Sequence, residues 1–474
     1  MLRRFTFSPI EFYIKNRIPE MLFIFFVLLL LADTTLGQDI IWSRIYGGMA
    51  EDLGLGIAET ADSGFILVAE TYSFGNDKQV YLIKTDVYGD TLWTKVFGGS
   101  GLEQCKSVQQ TTDGGYVMSG TTTSYGSAFQ AYLIKTKPDG KLQWFKTYGG
   151  SDWENCPSVQ QTTDGGYILA GWTYSYGAGN ADVYLVKTDS LGNLRWFKTY
   201  GGSREDVGKH VEQTTDGGYI IVGHSRSFGP AVSNVYLIKT DPQGDTLWTR
   251  TYCPVTYGWS SNYAFSCQQT SDGGYIISGI NGGADTDKVY LIKTNPNGDT
   301  LWTRLFANRR SSNGHSVRQT SDGGYIVAGY TMSPGSVYEN DVYVIKTDPN
   351  GDTLWTRTFG DIGGDVGEAV IQASDGSYMV VGGTSSCGTT PGDVLLLKIS
   401  PVPLTIPRGD TNGDGVFDIG DVIYEINYLL KDGPPSHPLL AGDTDCNGVV
   451  ELEDIVNLVR YLFQAGPDLG CRCL

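Results

Sequence analysis

One unit returns seven times along this 474-residue chain, at intervals of 50 to 56 residues. Its fixed points are a Trp (Trp42, Trp93, Trp144, Trp196, Trp248, Trp302, Trp355), a turn Asp (Asp62, Asp113, Asp164, Asp216, Asp272, Asp322, Asp375) and a Lys (Lys84, Lys135, Lys187, Lys239, Lys293, Lys346, Lys398). Four short apolar runs separated by Gly- and Asp-rich turns fill each unit, and no helical period interrupts them. A unit this small cannot cover both faces of four strands, so neighbouring units must do it. A period of this length with four strands marks the blades of a propeller. The expected fold is an all-β seven-bladed β-propeller, followed by a small α-helical EF-hand-like domain argued for below.

The third unit shows the reading in detail. Ser158–Thr162 alternates and predicts a short inner strand, and Thr163-Asp-Gly-Gly166 is a turn in which glycine supplies positive φ. Tyr167–Gly171 is a buried strand with a small residue for close sheet packing. Asp182–Lys187 and Leu194–Tyr200 are the third and fourth strands, joined by the tight turn Thr188–Asn193. The repeat begins with a fourth-type strand, Ile41–Tyr46, and ends with a third-type strand, Asp393–Lys398. The N-terminal strand is therefore expected to complete the last blade and close the ring, which removes exposed edges.

The stretch Asp348-Pro-Asn-Gly-Asp-Thr-Leu-Trp355 resembles the tryptophan-docking motif of quinoprotein-type propellers, a repeat of quinoprotein-like or kelch-like type. The resemblance implies that each Trp anchors one blade to the next. It implies no redox activity, since the adjacent-cysteine disulfide of those dehydrogenases has no match here. The seven lysines and seven turn aspartates occupy equivalent positions and cannot each be catalytic. They read as scaffold, the Asp capping its own turn and the Lys either partnering turn carboxylates or marking an exposed strand end.

Function is expected where the repeat breaks down. Both regular turns share one face; the loops of variable length share the other. Those loops carry Tyr72, Phe74, Tyr125, Trp153, Tyr174, Tyr176, Tyr257, Trp259, Tyr263 and Tyr338, with Asp52, Glu103, Asp152, Glu205, Asp206 and Asp365 nearby. Aromatics beside carboxylates suit a polysaccharide, ring faces packing on pyranose C–H faces. Paired carboxylates about 5–9 Å apart would suit glycoside hydrolysis, while aromatics that brace the loops explain the same residues without a ligand. The histidines His210, His224, His315 and His437 do not cluster in sequence, although His210 and His315 fall near equivalent points before their inner strands. No nucleophile elbow, zinc-binding helix or phosphate loop is present. No catalytic and no organic-cofactor residue is nominated.

The net charge of −18 disfavours nucleic acid and anionic membranes. Half of that excess lies after Gly409, where twelve Asp and Glu face three Lys and Arg. Arg3, Arg4, Lys15 and Arg17 precede an apolar run, Met21–Ala32, and a small-residue zone ending at Gly37. Residues 1–37 thus read as a signal peptide, leaving no membrane span in the mature chain and a secreted or cell-surface product. Eight cysteines in an exported chain permit disulfides. Cys253 with Cys267 is one plausible pair, Cys446 with Cys471 or Cys473 another, whereas Cys105 and Cys156 recur on successive units at a spacing hard to bridge.

After the propeller (38–400) and a Pro-rich linker (401–408) the chemistry changes. Asp410, Asn412, Asp414, Val416, Asp418 and Asp421 stand at positions 1, 3, 5, 7, 9 and 12 of an EF-hand-type loop, with Gly415 at the sharp bend. Asp443, Asp445, Asn447, Val449, Glu451 and Asp454 repeat it, and amphipathic helices Val422–Leu430 and Ile455–Phe463 follow the two loops. Two such loops predict two Ca²⁺ sites, and Asp at position 12 favours a structural role over a switch. Residues 409–474 closely resemble a type I dockerin, the duplicated calcium module that plugs extracellular proteins into cohesins. The resemblance implies a cohesin-type partner, although Ile419-Gly420 and Leu452-Glu453 replace the Ser/Thr pairs common at the contact positions. The reading is a secreted, non-catalytic recognition or scaffold protein. The alternative is an extracellular carbohydrate-active enzyme, a glycoside hydrolase or lyase.

Overall fold

The computed structural model describes residues 40–401, apart from 76, 127, 255–259, 284–285, 307–310, 333–339, 361–362 and 387–390, together with 411, 419–431, 444, 450 and 452–464. Its strands, numbered β1 to β28 along the chain, form seven four-stranded antiparallel sheets. The chain is a seven-bladed β-propeller. Six blades are consecutive strands; the seventh pairs β1 (Ile40–Tyr46) with β28 (Asp393–Ile399), β27 (Tyr378–Thr384) and β26 (Asp365–Gln372). The ring therefore closes through the N-terminal strand, as the order of strand types implied.

Burial across a blade follows its sequence. In the third blade the two middle strands, β11 (Tyr167–Thr173) and β12 (Asp182–Thr188), are buried almost throughout because neighbouring blades cover both faces. The outermost, β13 (Leu194–Tyr200), is largely open to solvent. The core is correspondingly divided into layers between blades: Ile168, Ala170, Val183 and Leu185 of one blade pack on Val211, Ile221 and Ile238 of the next. Tryptophans staple these layers. Trp196 meets Tyr219 of the following blade at 6.0 Å, and Trp248 meets Tyr275 at the same distance. Gly244, at φ +80°, lies flat on the Trp196 ring, where any side chain would collide with it.

The turn face repeats with little variation. Every repeat lysine is buried and reaches the Asp of its own turn, from Lys398–Asp375 at 2.6 Å to Lys84–Asp62 at 3.0 Å. A second belt was not apparent from the sequence. The last residue of each inner strand is Gln, or Glu59 in the first blade, and accepts the N–H of the first turn residue in the blade before it. Thr163 N–H meets Gln213 at 2.9 Å and Thr215 meets Gln269 at 2.9 Å; Ser374 meets Glu59 at 2.9 Å across the closure. Six turn glycines take φ of +80° to +88°, and Ser63 holds the corresponding position at +62°.

The inner strands are β2 (Asp52–Glu59), β6 (Glu103–Gln110), β10 (Glu154–Gln161), β14 (Asp206–Gln213), β18 (Ser261–Gln269), β22 (Ser312–Gln319) and β26. Each begins several residues earlier than alternation alone suggested, and each contains a register shift at the same place, a β-bulge. The small residue in the second strand explains it: a Cβ on Gly171 would stand 1.7 Å from the Asn155 carbonyl oxygen, and one on Gly223 1.8 Å from that of Val207. Glycine thus admits the bulge, and the bulge turns one extra side chain per blade toward the ring axis.

Cys253 and Cys267 are not bridged. Cys267 is buried with its Sγ 3.6 Å from His210 Nδ1, while the Cys253 Sγ lies 3.4 Å from the Asn262 amide nitrogen. Cys105 and Cys156 are free and buried within their own blades. Cys446, Cys471 and Cys473 lie outside the described residues, as do the leader, the linker and His437. Beyond the ring, α1 (Ile419–Lys431) and α2 (Leu452–Gln464) pack through Val422, Ile455 and Leu458. Both start about three residues before the apolar periodicity, so that Asp421 and Asp454 sit in their first turns.

Candidate functional site at the channel mouth

The carboxylates expected in the variable loops turn out to be structural. Asp52, Glu103, Asp206 and Asp365 are the first residues of inner strands and are fully buried. Asp206 accepts Gly202 N–H at 2.7 Å and Ser227 Oγ–H at 2.6 Å, fixing two loops at once, and Asp52 does the same with Gly48 and Ser73. Burial and then the neighbouring Asp206 raise the pKa of Asp182, and burial with Asp52 raises that of Asp393. Glu205 is held by Arg226 at 2.9 Å, and Asp152 is exposed. The loop aromatics mostly brace: Phe74 lies on Tyr81 at 5.0 Å, Tyr125 on Phe145 at 4.7 Å and Tyr176 on Phe197 at 4.8 Å. Tyr72 takes the Lys78 ammonium over its ring at 5.3 Å. Trp153 stays about half exposed, edge-on to Phe129 at 5.1 Å and Tyr174 at 6.3 Å. Tyr263 belongs to β18 rather than to a loop, and Tyr257, Trp259 and Tyr338 lie outside the described residues.

The variation that matters lies on the bulges. Around the ring the bulge position reads Leu55, Lys106, Pro157, Lys209, Phe265, His315 and Glu368. All seven line a cavity of about 250 Å³ in the central channel, with Gln104, Asn155, Trp172, His210 and Arg318 among the other walls. The neighbouring second-strand position is equally unlike itself from blade to blade: Glu70, Thr121, Trp172, His224, Ile280, Tyr330 and Gly383. Pro157 is tolerated there because a bulge residue owes no hydrogen bond to the ladder.

Contacts tie these residues into one surface. The Lys209 ammonium lies over the Trp172 ring at 4.4 Å, and His224 meets Tyr263 edge-on at 4.6 Å. His315 touches Phe265 at 5.1 Å and Tyr330 at 5.3 Å, and its Nδ1 is 3.2 Å from a Glu368 oxygen. Burial raises the Glu368 pKa, but the His315 beside it outweighs burial and holds the carboxyl below its usual range. Burial, reinforced by nearby Arg318, takes His210 down to about 3; burial with Lys209 and Arg226 does the same to His224, so both are neutral at physiological pH. Deeper in the channel Glu212 accepts Gln269 N–H at 2.9 Å, and Arg318 donates to Ser266 Oγ at 3.2 Å. His210 and His315 therefore lie on the inner strands, one position out of register, and face the same channel. The sequence signal for this site was available: among the inner-strand columns the bulge column is the one that pairs no two adjacent blades alike.

In the helical region the carboxylates of Asp421 and Asp454 are buried and accept the backbone N–H groups of Thr411 at 2.8 Å and Thr444 at 2.7 Å. Glu425 is buried between them with no hydrogen bond to either oxygen, and burial, Asp454 and Asp421 together raise its pKa to about 7. Three buried carboxyls in mutual repulsion are what an oxygen-ligated divalent cation would neutralise. The other ten ligand positions, Asp410, Asn412, Asp414, Val416, Asp418, Asp443, Asp445, Asn447, Val449 and Glu451, lie outside the described residues.

Residues 408–463 match the dockerin type I domain. Dockerin modules bind calcium and cohesin-type partners and are typically extracellular or cell-surface. Among curated proteins none matches the chain in sequence. Similar solved structures include the Neurospora crassa Pan2 WD40 domain, with 11% identity over 77% of this chain and 97% of that one at a TM-score of 0.45. Sqt1 from Chaetomium thermophilum has 13% identity over 73% and 82% at 0.43, and Drosophila Plexin A in complex with Semaphorin 1b has 10% over 77% and 88% at 0.45. Among the described residues no helix is long and apolar enough to cross a membrane.

Proposed function

We propose that this is an exported, non-catalytic recognition protein that is held by its dockerin module and presents the channel mouth to a polysaccharide. The observation that carries the reading is the bulge ring, where a fold that repeats everywhere else sets six kinds of side chain at seven equivalent positions around one polar, aromatic-lined cavity. The reading divides the chain into a leader (1–37), propeller (38–400), linker (401–408) and calcium module (409–474). The repeat is of the tryptophan-docking, quinoprotein-like or kelch-like kind. Two Ca²⁺ ions are assigned to Asp410, Asn412, Asp414, Val416, Asp418 and Asp421 and to Asp443, Asp445, Asn447, Val449, Glu451 and Asp454. The metal would order the two loops and so present the helices to a cohesin-type partner.

Two experiments test this. A glycan array probed with the full mature chain should give binding that Trp172→Ala removes; binding to no glycan, in a protein that melts normally, rejects the polysaccharide. Chelation should abolish the helical signal of 409–474 and capture by cohesin while the propeller stays folded; an unchanged helical signal rejects the calcium assignment. The His315–Glu368 pair is the one arrangement that favours the enzyme alternative, as a general base or acid inside a cavity. Reducing-sugar release that disappears in Glu368→Gln would establish that alternative over binding alone.

A further inference from the structure

The channel mouth has the opposite electrostatic character from the chain that builds it. The protein carries a net charge of −18, and its turn-face lysines each have a carboxylate. At the bulge ring, Lys106 and Lys209 do not. Among the described residues neither ammonium takes part in a hydrogen bond or ion pair, and the Lys209 ammonium lies over the face of Trp172. The one carboxylate on the ring, Glu368, is taken up by His315. Arg318 below adds a third cation, its guanidinium spent on Ser266 and the Val317 carbonyl. Lys209 is largely withdrawn from water while Lys106 stays exposed; an inward amine there, where the fold accepts apolar residues such as Leu55 and Phe265, is a costly choice without an anion to receive.

We propose that the channel mouth binds a carboxylate-bearing saccharide, its carboxylate lying between the ammonium groups of Lys106 and Lys209 and its ring against Trp172. This rests on the glycan reading of the same cavity and narrows it to acidic sugars. The amides of Gln104 and Asn155, which also line the cavity, are placed to meet sugar hydroxyls. The remaining wall mixes apolar and aromatic side chains such as Leu55, Ile57 and Phe265, which a pyranose face can pack on, with serines, Arg318 and Glu368. Burial, and then nearby Lys106, lower the Lys209 pKa to about 8 against the opposing pull of Glu205. An oxyanion between the two would relieve both effects.

Titration calorimetry on the full mature chain at constant Ca²⁺ tests this, with uronate oligosaccharides, neutral oligosaccharides of the same length and inorganic phosphate as probes. Uronate oligomers should bind, neutral ones at least tenfold more weakly, and Lys106→Met and Lys209→Met should each cost roughly tenfold or more. Lys209→Arg should retain most of the affinity, and added salt should weaken binding. Equal binding of neutral and acidic oligomers, unmoved by either Met variant, would overturn the anionic site while leaving the glycan reading intact. Phosphate that binds as tightly as the uronates would overturn the saccharide itself. Because the Met variants replace unpaired cations, thermal melts should show them folded.

Discussion

The two ends of the propeller channel are built from the same seven strands and obey opposite rules. On the turn face, each lysine has an aspartate, each first turn N–H has a glutamine or, at the closure, Glu59, and each blade repeats its neighbour. At the channel mouth, a few residues earlier in the same strands, seven positions hold six kinds of side chain, and two amines make no ion pair among the described residues. The first arrangement is what closing a ring demands, since every blade must present the same edge to the next. The second is affordable only because a bulge residue is excused from the ladder, so its side chain is free to be chosen for something other than stability.

Trp248→Ala tests the first half of that contrast most severely. It removes the contacts to Tyr275 and Gly298 that dock two blades and should cost about 3 kcal/mol in chemical denaturation. A loss below 1 kcal/mol would mean that the tryptophans do not hold the blades together. The two classes of lysine should then separate. Lys239→Met strands Asp216 and the Thr240 carbonyl and should cost about 1–2 kcal/mol. Lys209→Met removes a cation without a carboxylate and should leave stability unchanged or raised. Similar losses from both would erase the distinction.

Acid should also pull the two faces apart. Asp164 and Asp272 are partly buried, which opposes ionisation, but bonds from their Thr, Lys and Gly neighbours prevail and hold both at about 2, below the ordinary 3.8. Their stabilisation is complete above pH 3.8 and is lost as pH falls through the folded value near 2. Asp182 and Asp393 have raised folded values, so they burden the fold at neutral pH and release it as pH falls toward 3.8. Asp393→Asn should therefore raise the neutral-pH melting temperature and flatten the mildly acidic part of the profile, leaving the drop near pH 2 in place. An unchanged profile would show that the Asp52–Asp393 pair is not strained. The smallest effect belongs to Ser63, at φ +62° where six other blades hold glycine. Ser63→Gly should stabilise by about 0.5 kcal/mol, the relieved strain exceeding the added unfolded-state freedom.

Much of this was legible in the chain. Trp248, Asp216 and Lys239 recur because ring closure repeats one interface, and repetition is visible without coordinates. The displaced strand types at Ile41 and Asp393 likewise told how the ring would seal. The dockerin module was legible for a related reason: its duplicated loop spacing is local, so a pattern such as Asp410 to Asp421 can be read from twelve consecutive residues. Several of the propeller's acids were misplaced. Asp206 and Asp365 looked like free loop acids and are buried loop anchors, because the inner strands extend farther than their alternation shows.

By itself, then, the sequence determined the number of blades, the way they close and the presence of a dockerin calcium module, all properties set by local spacing or by repetition. Tertiary structure alone decided which side chains share the channel. Lys106, Lys209, His315 and Glu368 are separated by 53 to 262 residues and meet through a bulge that glycine in the next strand permits. No local pattern records that meeting, because it depends on seven strands converging on one axis.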